Sequence, residues 1–119
     1  MMNEIEKLYE NVGVELVADV KFPTKDVNYN VNYPPFTAEK QVAIIKLISK
    51  QGQVIIENWE NRGFNITFRA NSNLRYITMD CITRKTVEEA LAQIINDIWQ
   101  DLTEEEKTSI KNILESEVR

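Results

Sequence analysis

Tyr33-Pro34-Pro35-Phe36-Thr37-Ala38-Glu39-Lys40-Gln41 opens a stretch that runs to Trp99 and decides the fold. Thr37 follows a double proline and precedes an apolar-periodic run, which makes it a good N-cap. Glu39 suits the positive end of the helix dipole, and Lys46 and Lys50 suit the negative end. Val42, Ile44, Ile45, Leu47 and Ile48 give this helix a broad apolar face that must be buried, and Gly52 is expected to stop it.

Three strands follow. Gln53 to Trp59 is apolar at Val54, Ile55 and Ile56. Phe64 to Arg69 alternates, with Phe64, Ile66 and Phe68 inward and Asn65, Thr67 and Arg69 outward. Leu74 to Ile82 sets Ile77, Met79 and Cys81 against Tyr76, Thr78 and Asp80. Gly63 and Asn71-Ser72-Asn73 mark the turns of an antiparallel meander. Thr86-Val87-Glu88-Glu89 reads as a capping box, with Thr86 and Glu89 in the reciprocal positions, followed by the helical stripe Ala90, Leu91, Ile94, Ile95, Ile98 and Leu102.

Outward from this α-β-β-β-α core the chain adds one helix at each end. Residues 3–12 place Ile5, Leu8, Tyr9 and Val12 on one face, with Asn3 as cap and Gly13 as left-handed stop. Val14 to Phe22 alternates as a strand ended by Pro23. Pro23 to Pro35, rich in asparagine, reads as an extended loop, with an edge strand as the other reading. Thr103-Glu104-Glu105-Glu106 repeats the capping signal before a last helix carrying Ile110, Ile113 and Leu114.

The expected fold is therefore α+β: an antiparallel sheet of three or four strands packed with helices, in a single domain over 1–119. Residues 1–32 form an N-terminal helix and extended segment, 33–102 the core, and 103–119 an acidic C-terminal helix. The core should include Val42, Ile45, Ile48, Ile66, Phe68, Ile77, Met79, Leu91, Ile94, Ile95 and Ile98.

Composition narrows the class of job. Hydrophobic residues at 43% and charged residues at 28% are ordinary globular values. No apolar run approaches the roughly 18–20 residues that cross a bilayer, and the charged N-terminus lacks an apolar signal core. A single cysteine, Cys81, suits a reducing compartment, so a cytoplasmic location is expected. The net charge of −5 is polarised: −3 over residues 1–33, +4 over 34–86 and −6 over 87–119. Two readings fit this layout, ordinary solvated faces or an acidic surface that docks on a basic partner.

The chemistry of catalysis is thin. The chain has no histidine, which removes the commonest general base and most transition-metal sites. Its three glycines stand singly, so no phosphate loop forms. Cys81 falls on the inward face of a strand as a core residue. The glutamates at 88–89 and 104–106 read as helix starts rather than catalytic pairs. No enzyme activity and no cofactor or metal is expected.

Binding residues are easier to nominate. Arg62, Arg69, Arg75, Arg84 and Lys85 lie on or beside the sheet, near Trp59 and Tyr76. Arginine mixed with aromatics makes a protein hot spot or a nucleic-acid surface, and solvent-facing sheet residues would look the same. The α-β-β-β-α order is also that of double-stranded-RNA-binding domains, which grip phosphates with lysines at the start of their last helix. Here Thr86-Val87-Glu88-Glu89 at that start would repel phosphate.

Tyr33-Pro34-Pro35-Phe36-Thr37-Ala38-Glu39, then Thr86-Val87-Glu88-Glu89-Ala90-Leu91, resembles small phage and prophage proteins that include the phage ABA sandwich domain. The run from Ile94 to Lys107 is similar to uncharacterised prophage proteins of Gram-positive bacteria. The resemblance covers residues 33–114. It implies helix/sheet/helix packing and a mobile-element origin, and it supplies no catalytic residues.

The functional expectation is a non-enzymatic accessory protein that binds a host protein, with inhibition of a bacterial defence system as its sharpest form. Trp59, Arg62, Arg69, Arg75, Tyr76, Glu104, Glu105 and Glu106 are the partner-binding candidates. Nucleic-acid binding through the basic sheet is the alternative, and sequestration of a nucleotide-like ligand a third. The open face of the sheet leaves room for a homodimer.

Overall fold

The computed structural model describes residues 3–14, 20–23, 28–31, 36–58, 63–71, 76–81 and 84–115. Helix α1 runs Glu4–Val12; the Asn3 side chain accepts from the Glu6 N–H at 2.8 Å. Gly13 closes it at φ +77°, a region open to glycine, and the Val14 N–H donates back to the Tyr9 carbonyl. Val14 thus belongs to the helix end and does not begin the strand expected over Val14–Phe22.

Strands β1 (Val20–Pro23) and β2 (Asn28–Val31) form an antiparallel ribbon, with Val20 opposite Val31 and Pro23 opposite Asn28. This corrects the loop reading of Pro23–Pro35 in favour of its edge-strand alternative. Pro23 is the last residue of β1, where the alternating run was expected to end.

Helix α2 (Ala38–Ile48) starts where Thr37 caps it, accepting from the Lys40 N–H at 3.2 Å. Its end lies at Ser49, so Gly52 is not the stop. Gly52 instead begins β3 (Gly52–Asn58), where a Cβ would run into the Arg69 carbonyl oxygen and the Phe68 ring. The buried face of α2 carries Lys40, Ile44, Leu47 and Ile48. Val42 lies about 200° round the helix from Lys40 and is 52% exposed, so it leaves the expected core.

β3, β4 (Phe64–Ala70) and β5 (Tyr76–Cys81) make the predicted meander, with Ile66 opposite both Ile56 and Met79. Ile66, Phe68 and Cys81 are buried, and Ile77 and Met79 pack against them. On the other face Asn65 Oδ1 accepts from the hydroxyls of Thr67 and Thr78 at 2.8 and 3.1 Å.

Helix α3 (Arg84–Ile98) packs on β4, β5, α1 and α2 through Val87, Ala90, Leu91, Ile94, Ile95 and Ile98. It begins two residues before Thr86, so the expected Thr86–Glu89 capping box is not the helix start. A 3-10 turn (Trp99–Asp101) leads into α4 (Glu104–Glu115), which packs on α1 and α2 with Ile110 and Leu114 inward. The architecture is α+β, a sheet packed against helices.

Candidate functional site

The structure separates the nominated residues. Trp59, Arg62 and Arg75 lie outside the described residues. Tyr76 opens β5 and pairs in register with Arg69, whose side chain is exposed on the face of the sheet away from the helices. Glu104, Glu105 and Glu106 sit at the start of α4, in the helical layer. The sheet thus brings Arg69 and Tyr76 together, while the acids form a second surface.

At the start of α4 the local sequence makes a complete capping box. Thr103 Oγ1 accepts from the Glu106 N–H at 3.1 Å, and Glu106 Oε1 accepts from the Thr103 N–H at 2.9 Å. The Thr103 N–H is the main cause of a Glu106 pKa below the usual 4.5; partial burial opposes it, and Lys50 adds a smaller push down. Gln51 Nε2 approaches both Glu106 oxygens at 3.4 Å. Glu106 is therefore occupied within the fold. Glu105 is exposed, and the Glu104 side chain is 93% exposed while touching Lys107 Nζ at 3.5 Å.

Lys107 also lies over the Trp99 ring, 5.4 Å from its centroid. Beside the acids is a cleft of about 310 Å³ whose walls include Asn11, Val12, Trp99, Glu104, Lys107 and Lys111. Trp99 and Lys107 join this surface although neither was nominated from sequence. Their signal was present: an aromatic on the last turn of an apolar stripe, eight residues before a lysine on the next helix.

Glu88 has a different role from a helix-start acid. It is fully buried, and its Oε2 accepts the Phe36 N–H at 2.6 Å, tying α3 to the residue just ahead of the α2 cap. Lys40 is 5% exposed, and its Nζ has no hydrogen-bond partner among the described residues. Burial lowers the Lys40 pKa, and the Glu88 charge opposes that fall. Tyr9 is raised chiefly by burial and further by Glu88. One carboxylate thus acts on groups from α1 and α2 together. The cluster is closed to solvent, which suits fastening helices rather than meeting a substrate.

A groove between α1 and α3, about 430 Å³, is lined by Glu4, Lys7, Asn11, Gln93, Asn96 and Asp97 among others. Asn96 spans it, donating to the Glu4 carbonyl at 2.8 Å and accepting from Asn11 at 3.0 Å. Among the described residues no three His, Cys, Asp or Glu side chains cluster as a metal site. No described helix is long and apolar enough to cross a membrane.

No known protein family, curated protein or solved structure matches this chain. The surfaces themselves must carry the functional reading.

Proposed function

We propose that this chain is a non-enzymatic binding protein of phage or prophage origin, acting in the host cytoplasm on a basic surface of a host protein. Blocking a bacterial defence system is its sharpest form. The origin rests on the resemblance over residues 33–114. The observation that carries the binding reading is the acidic corner at the start of α4. Glu104 and Glu105 stand exposed while the capping box of Thr103 and Glu106 holds the backbone beneath them. Charges on a pre-ordered element lose little freedom on docking, and they steer a basic partner toward the site.

The test is cross-linked capture from a Gram-positive lysate with the tagged chain and its Glu104→Lys/Glu105→Lys variant. A basic protein held by the first and lost by the second, with cross-links falling between residues 99 and 111, supports the reading. Equal capture by both overturns it.

One observation favours nucleic acid as a second reading. The case against RNA placed Glu88 and Glu89 at the start of the last core helix, but that helix begins Arg84-Lys85 and Glu88 is buried. Exposed Arg69 adds a base on the sheet. Cations at a helix N-terminus oppose the dipole and gain from a phosphate there. Titration with duplex RNA and single-stranded DNA at low salt decides this reading, and absence of any shift ends it.

A further inference from the structure

We propose that β3 and α2 form a two-fold interface with a second copy of this chain, joining two meanders into one six-stranded sheet. Among the described residues β3 is hydrogen-bonded on one edge only, to β4. Its seven residues contain no proline and no lysine, the usual protections of an open edge. Val42 and Ile56, each 52% exposed, are the large apolar side chains most open to water among the described residues. They lie on α2 and β3, which pack on one another.

The pattern on both elements is complementary to itself. Antiparallel pairing of two β3 edges centred on Ile55 sets Val54 opposite Ile56 of the second copy, and Gln53 opposite its Glu57. An amide meets a carboxylate on one face and two apolar pairs form on the other. On α2 a shallow apolar depression of about 420 Å³ is lined by Ala38, Glu39, Val42, Ala43 and Lys46. Its charges stand on either side of Val42-Ala43, so an antiparallel α2 pair brings each Glu39 to the Lys46 of the other copy. A two-fold axis through both centres satisfies every one of these contacts twice, as an isologous interface requires. The acidic corner of α4 is not used, so a dimer and partner binding are independent outcomes.

Sedimentation equilibrium of the full chain from about 1 to 100 μM tests this, over the range where modest interfaces associate. The wild type is expected to dimerise in that range. Ile56→Lys, with folding checked by circular dichroism, should weaken the dimer by at least about tenfold, because a lysine on the edge stays hydrated. Glu39→Lys and Lys46→Glu should each weaken it. Mixing those two variants, or combining both changes in one chain, should restore it. A wild type that stays monomeric at about 100 μM, a dimer unmoved by Ile56→Lys, or charge variants that fail to rescue one another would each overturn the proposal.

Discussion

Thr86-Val87-Glu88-Glu89 and Thr103-Glu104-Glu105-Glu106 carry the same local signal and have opposite fates. In the second, threonine and third-position glutamate turn back on each other's N–H groups and start a helix. In the first, the helix has already begun at Arg84, and Glu88 is buried against the Phe36 N–H. The difference lies in the neighbours. Val87, Ala90 and Leu91 are all buried and fix the rotation of α3, so Glu88 faces the interior between them. At the other site Glu104 and Glu105 face water, and Glu106 keeps its bond to the Thr103 N–H while Gln51 approaches it at 3.4 Å. A four-residue signal states what the backbone can do; the apolar stripe decides whether it does.

The largest expected effect breaks the first site. Glu88→Gln leaves Lys40 buried without its compensating charge and should cost about 3–5 kcal/mol in urea unfolding. Adding Lys40→Met should recover part of that loss; strictly additive costs would show that packing, not charge, fastens the helices. Next comes the stripe. Ile95→Ala, at a fully buried position, should cost about 2–5 kcal/mol, and a loss below about 1 kcal/mol would mean that something else positions α3.

The caps themselves are the sharper comparison. Glu106→Ala should cost about 1 kcal/mol, whereas Glu89→Ala should stay within about 0.5 kcal/mol. Equal costs at the two positions would restore Thr86–Glu89 as a working cap. Acid provides a smaller check. The Glu106 carboxyl is held below its usual 4.5, so its contribution is present above that value and fades as pH falls through the folded-state pKa. Glu106→Gln should therefore flatten the fall in stability below about pH 4.5, and an unchanged acid profile would count against the Thr103 contact in solution.

The sheet was legible because inward and outward residues alternate from Phe64 to Arg69, and the α1 ends because the Asn3 side chain and the Gly13 backbone act on neighbours within a few residues. The strand at 28–31 was not, because asparagine disfavours strands and the pairing with 20–23 is a contact between segments. Val42 was misplaced for a related reason: α2 is apolar on more than one face, and sequence does not say which face meets α3 and α4. In the candidate site, Glu104 and Glu105 were readable as exposed acids. The diversion of Glu106 into the fold and the arrival of Trp99 and Lys107 depend on where α4 docks.

The first region fastens the fold; the second is the one proposed to meet a partner. The most direct measurement is the affinity of the captured host protein for the wild type and for Glu104→Lys/Glu105→Lys, at matched salt. Binding weakened by at least about tenfold, with urea stability unchanged within about 0.5 kcal/mol, is the predicted result. Unchanged affinity would contradict the assignment of the acidic corner as the binding surface.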